Sequence, residues 1–182
     1  MPDLPPLQTG HATAPTNTTP AIATPPSARH VFVYGTLRRG DDNDITRLLP
    51  SPQYVGDAVI AGVMYHLGAY PGLILAPPAG GQGVRMGPII GEVYAIQPAL
   101  ETKLDEIEMI YPQQRDEYFK RDIQVTVAGQ RLDCIVYEIN PAYVENKPVI
   151  GSGDWVKDRN KTAEKAIEGT GEKTGDQPRL RG

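Results

Sequence analysis

Two short stretches of this sequence carry residues whose types and spacing could do chemistry. The first is Val31-Phe32-Val33-Tyr34-Gly35-Thr36-Leu37-Arg38-Arg39-Gly40, an apolar run that breaks at a glycine into a polar loop with two arginines. The β-branched and aromatic residues before Gly35 predict a strand ending at Tyr34, and a glycine there takes backbone angles closed to other residues. Beyond it, the amides of Thr36, Leu37 and their neighbours can converge on one concavity, which binds carboxylate or oxyanion oxygens without a charged side chain. Taken alone, the segment is equally a phosphate loop, an oxyanion site or a plain hairpin turn with solvated arginines.

The second stretch is Leu100 to Ile110, where Pro98 suits the first turn of a helix. At roughly 100° per residue, Leu100, Leu104 and Ile107 form one apolar stripe. Glu108 falls about 40° from Leu104, on the edge of that stripe, whereas Asp105 and Glu106 point away. Glu108 either reaches solvent from this boundary or leans against apolar surface. In the second case its ionised form is disfavoured, its pKa rises toward neutrality, and it becomes a candidate general base. Asp105 diverges from Glu108 by about 60° and is assigned to helix or loop support.

Other chemistries fit poorly. His11, His30 and His66 are scattered, with no carboxylate or cysteine at ligand spacing, so neither a metal site nor another cofactor is expected. The loop after the first strand lacks the lysine followed by serine or threonine that a phosphate loop uses. Net charge is −4 and the pI about 5.4, against the basic excess of a nucleic-acid binder. The single cysteine, Cys134, lies in an apolar run and reads as a buried, inert thiol in a reducing compartment. No apolar stretch approaches the roughly 20 residues that span a bilayer, and the N-terminus lacks a signal-peptide pattern. The expectation is a soluble, cytoplasmic protein with no membrane partner.

The elements that position these residues lie in one domain of the 182-residue chain, at 29–156. Residues 1–28 are rich in Pro, Thr and Ala and read as a disordered arm; 157–182 read as a charged, flexible tail. Between them the pattern predicts a strand at 30–35 and a short helix at 44–49 capped by Asp42 or Asn43 and ended by Pro50 and Pro52. Tyr54 to Leu67 is one long bent strand or two short ones. Tyr70-Pro71-Gly72 is a tight turn before Leu73-Ile74-Leu75, and 77–83 is an irregular loop. A strand at 89–96 precedes the helix, and two strands follow at 119–127 and 132–139, joined by Ala128-Gly129-Gln130. The order does not alternate as in a doubly wound fold, so the class is α+β, built on a small curved sheet or barrel.

Together these features resemble the γ-glutamylcyclotransferase-like superfamily, in particular its AIG2-like and γ-glutamylamine cyclotransferase branch. The resemblance rests on Tyr34 to Gly40 with Asn43, Tyr70-Pro71-Gly72, Gly91-Glu92-Val93-Tyr94, Leu104-Asp105-Glu106-Ile107-Glu108, and Tyr118 with Arg121. It implies a small mixed β-barrel flanked by helices and a reaction that needs no metal. It also implies that the α-amine of a γ-glutamyl amine or amino acid attacks its own γ-carbonyl, releasing 5-oxoproline. On this resemblance Glu108 is the catalytic acid/base, the backbone at Gly35, Thr36 and Leu37 holds substrate oxygens, and Tyr34 and Tyr118 line the pocket. The partner implied is a small γ-glutamyl substrate bound by a monomer or homodimer. The sequence departs from the family pattern at Met109, in the longer connection Ile110 to Glu117, and in the extra residue between Tyr118 and Arg121. Gly151-Ser152-Gly153-Asp154-Trp155 is similar to a closing segment of bacterial members, or caps a final helix through Ser152 or Asp154. A different class fits the same pocket: a binding or sensor module for a γ-glutamyl or amino-acid-like ligand, without turnover.

Overall fold

The computed structural model describes residues 29–76, 85–109 and 116–161. The expected N-terminal arm, the loop at 77–83 and, of the expected tail at 157–182, the residues from 162 onward lie outside the described residues; 157–161 are described and are helical, not a flexible tail. Six strands, β1 (Arg29–Val33), β2 (Gln53–His66), β3 (Pro71–Ile74), β4 (Gly87–Ile96), β5 (Tyr118–Val127) and β6 (Gln130–Ile139), form one sheet in the order β3-β2-β4-β1-β6-β5. Helix α1 (Pro98–Met109) follows β4, and residues 155–161 form a second helix, α2. The sheet is mixed: β1 runs parallel to β6 and antiparallel to β4.

Alternation along β1 decides which face each side chain serves. Val31 and Val33 join Ile96, Leu100, Leu104 and Ile139 in one core. Phe32 and Tyr34 join Met64, Val93, Val136 and Trp155 in the other. α1 therefore closes the first core through the stripe read from its sequence, and α2 contributes the buried Trp155 to the second.

Four details differ from the sequence reading. The sheet is not a closed barrel: β3 and β5 remain its edges. It curls until β2 packs on β5 and β3 on β6, but side chains fill those seams. A Cβ on Gly56 would sit 2.5 Å from Val127, and one on Gly72 would sit 3.0 Å from Ile139. The short helix after the first loop is only the 3-10 turn Ile45–Arg47, and its cap is Asp44, whose side chain accepts from the Thr46 amide at 2.9 Å. Pro71 and Gly72 begin β3 instead of forming a free turn. The β5–β6 hairpin has a two-residue turn, Ala128-Gly129, with φ of 48° and 82°; positive φ at both positions matches the twist of the strands. Tyr54 to Leu67 resolves as one strand ending at His66, with an irregularity between Tyr54 and Gly56. No helix among the described residues is long and apolar enough to cross a membrane.

Candidate active site

A cleft of about 780 Å³ opens where four elements meet: the loop after β1, the start of β3, the end of α1 and the start of β5. It is lined by Tyr34, Gly35, Thr36, Leu37, Glu108 and Tyr118, so all six residues singled out from the sequence face one space. Phe32, Val33 and Tyr137 from the central strands, and Ile107 from α1, add apolar wall.

On one side the chain leaves β1 and folds back on itself through its carbonyls. Those of Gly35, Thr36 and Leu37 accept from the amides of Arg38, Asn43 and Ile45 at 3.0, 3.1 and 3.0 Å. Among the described residues, the amides of Gly35, Thr36 and Leu37 donate to no other group, which leaves them for a ligand's oxygens. Gly35 has a packing reason as well: a Cβ there would lie 2.8 Å from the Pro71 ring. Asn43 supports the loop by donating to the Thr36 hydroxyl at 3.1 Å.

The opposite side carries two carboxyl groups. Glu108 arrives from the last turn of α1, on the edge of its buried stripe, and no described residue donates a hydrogen bond to it. Glu117, just before β5, is buried and accepts from the Tyr70 hydroxyl at 2.6 Å. Burial pushes the Glu108 carboxyl up to about 7, and the like charge of Glu117 pushes it the same way. At neutral pH such a group can both take up and return a proton. The tyrosine hydroxyls are committed elsewhere: Tyr34 donates to the Tyr137 carbonyl at 2.7 Å, Tyr118 to the Pro71 carbonyl at 3.0 Å and Tyr137 to Asp105 at 2.7 Å. Burial holds all three phenols well above their usual range. Tyr118 therefore lines the cleft while spending its proton on β3.

Asp105 does not point away, as its helical angle suggests, but onto the sheet, where it also accepts from Lys120 at 2.6 Å. The loop arginines face outward from the cleft. Arg38 bridges Glu92 at 3.2 Å and Asp154 at 2.8 Å, and the Arg39 amide donates to Glu92 at 3.1 Å. Asp154 caps α2: its carbonyl accepts from the Asp158 amide at 3.1 Å and its side chain from the Lys157 amide at 3.4 Å. Among the described residues no group of three His, Cys, Asp or Glu side chains could hold a metal ion.

Sequence reasoning missed Glu117, which it placed inside a long connection. Its adjacency to Tyr118, at the start of an alternating strand, was the available signal. Tyr70 entered only within the Tyr70-Pro71-Gly72 motif, and its bond to Glu117 spans 47 residues, a pairing no local pattern reveals.

The model of the family described as "Gamma-glutamyl cyclotransferase, AIG2-like" matches residues 31–157, which hold every element around the cleft. A Vibrio cholerae protein named "Putative gamma-glutamylcyclotransferase" is 33% identical over 127 residues, covering 69% of this chain and 93% of that protein. An Arabidopsis thaliana protein of the same descriptive name is 34% identical over 114 residues, 58% of this chain; the match spans only 55% of the Arabidopsis protein's length. Among solved structures, an AIG2-like protein from Mus musculus superposes with a TM-score of 0.51 at 24% identity, covering 66% of this chain and 84% of that one. YkqA from Bacillus subtilis gives 0.55 at 23% identity, covering 75% and 43%. These two show the fold. With the family model covering most of the domain, the chain belongs to the AIG2-like γ-glutamyl cyclotransferase family.

Proposed function

We propose that the cleft cyclises a γ-glutamyl amine or γ-glutamyl amino acid, releasing 5-oxoproline and the free amine. The observation that supports this reading is the pairing, across one cleft, of a row of uncommitted backbone amides with an uncommitted carboxyl group whose pKa lies near 7. The family membership and the names of the Vibrio and Arabidopsis relatives point the same way.

In this mechanism ionised Glu108 takes a proton from the substrate's α-ammonium, and the amine nitrogen attacks the γ-carbonyl of the same molecule. The oxyanion that forms is met by the amides of Gly35 to Leu37. Glu108 then passes its proton to the leaving nitrogen, the C–N bond breaks, and a second proton from the ring nitrogen follows the same route. Of the three ammonium protons, two end on the released amine and one stays as the lactam N–H. Holding amine and carbonyl of one molecule at attack distance is worth up to about 7–11 kcal/mol in favourable cases.

The test is to incubate the full chain with γ-glutamyl amino acids, γ-glutamyl-lysine and glutathione and to follow 5-oxoproline. Wild type should release it from at least one, and Glu108→Gln should be slower by about 10²–10⁴-fold, the range of a lost general acid–base. Binding without release from any of them would favour the sensor reading. Equal rates in the variant would remove Glu108 from the chemistry.

A further inference from the structure

The polar groups of the cleft come from two sets of elements. At the loop end the lining offers donors, the amides of Gly35, Thr36 and Leu37. At the far end it offers acceptors. The tyrosine hydroxyls there have spent their protons, and neither Glu108 oxygen has a described partner. Glu117 uses one oxygen on Tyr70. Its second oxygen has no described partner either, yet it is not sealed off: the sealed, unpartnered side-chain atoms among the described residues are Asp41 Oδ2 and Trp155 Nε1. Glu117 is only 4% exposed and lines this cleft, so the cleft is the space available to that oxygen. No lysine, arginine or histidine lines the cleft among the described residues. The remaining acid at its rim, Asp42, is met by Arg159 at 3.4 Å.

A buried carboxylate without a cation is costly unless something completes it. We propose that Glu117 is a substrate-binding residue, the anchor of the α-ammonium of the γ-glutamyl group. This rests on the cyclisation reading above and assigns a role that reading leaves open. An ammonium carries three donors. One can be surrendered to Glu108, while a second holds the nitrogen to Glu117 as the lone pair is freed. The amine thus stays in place when it becomes a nucleophile. Tyr70 fixes the rotamer of Glu117 by filling its other oxygen.

The test separates this role from turnover by measuring binding to Glu108→Gln protein. Two ligands are compared by calorimetry: the γ-butylamide of glutamic acid and N-butylglutaramic acid, identical except that the second lacks the α-ammonium. A charge-assisted bond to Glu117 makes the first bind about 10–100-fold tighter. Adding Glu117→Gln, which keeps shape and removes charge, brings the ratio to within about threefold, and in the wild-type background it raises KM more than it lowers kcat. Tyr70→Phe, which frees Glu117 without removing it, produces a smaller loss of the same preference. Equal binding of the two ligands to Glu108→Gln protein, or a preference that survives Glu117→Gln, overturns the assignment. If wild type releases no 5-oxoproline while the preference holds and depends on Glu117, cyclisation fails and the ammonium anchor stands.

Discussion

The loop of residues 35–44 and the wall formed by Glu108 and Glu117 face each other across one cleft, and they differ in how their polar groups are satisfied. Behind the loop the charges are largely paired, the buried Asp41 Oδ2 excepted. Arg38 joins Glu92 and Asp154, Asp44 accepts from the Gly40 amide at 2.9 Å, and buried Asp41 is held by Arg159. Glu92 also accepts from the Tyr94 hydroxyl at 2.8 Å and the Arg39 amide. Across the cleft, Glu108 has no described partner and Glu117 has only Tyr70. A surface that positions oxygens must keep its amides still, so it is tied down from behind. On the proposed mechanism Glu108 moves a proton and must not be pinned in either protonation state, which fits its lack of a described partner, at a cost in stability.

That cost is the largest stability effect expected. The Glu108 carboxyl titrates near 4.5 in the unfolded chain and near 7 in the folded one. Its favourable contribution is therefore complete below about pH 4.5 and is lost as pH rises through 7. Glu108→Gln removes this dependence. It should stabilise the protein by up to about 3 kcal/mol at pH 8 and by almost nothing at pH 4. Urea denaturation at the two pH values checks it; a variant no more stable than wild type at pH 8 would erase the contrast between the walls. On the loop side the sign reverses. Arg38→Ala leaves Glu92 and Asp154 facing each other with side chains only 10% and 19% exposed, and should cost about 2 kcal/mol, below the value for a fully buried pair. Arg38→Lys should recover only part of it, because a single ammonium cannot reproduce the two-sided fork. The accompanying readout is KM, which should rise in both variants as the loop loosens.

The first loop and the helix stripe were legible because both are local. Tyr34 to Leu37 announces itself through a β-branched run broken by glycine, and Glu108 through its angle to Leu104. The short element after the loop was misread because Asp42, Asn43 and Asp44 are all competent caps. Only the backbone shows that Asp44 takes the role, turning over Gly40 at one oxygen and Thr46 at the other. The closed barrel failed for a tertiary reason: β3 and β5 stay edges while side chains, Val127 against Gly56 and Ile139 against Gly72, fill the β2–β5 and β3–β6 seams, long-range contacts that no local pattern shows. Arg38 had no partner assignable from the sequence. Its partners Glu92 and Asp154 lie 54 and 116 residues away, and they turn it to the back of the loop.

The smallest effect would sharpen the comparison most, because it asks whether the carboxyl wall is one unit. Burial is the leading cause of the raised Glu108 pKa and Glu117 the second, so Glu117→Gln should remove only the second. The acid limb of kcat/KM reports the free enzyme's base. Activity in wild type should rise with pH through about 7, because only ionised Glu108 accepts the proton. In Glu117→Gln the limb should move to lower pH by about one unit or less, the scale of two like charges coupled across a partly wet cleft. It should stop well short of 4.5, since desolvation persists. Loss of the ammonium anchor raises KM across the whole pH range, whereas loss of the like charge only shifts the limb. One variant thus reports two separable quantities. A raised KM with an unmoved limb would mean that Glu117 binds the substrate without tuning the base.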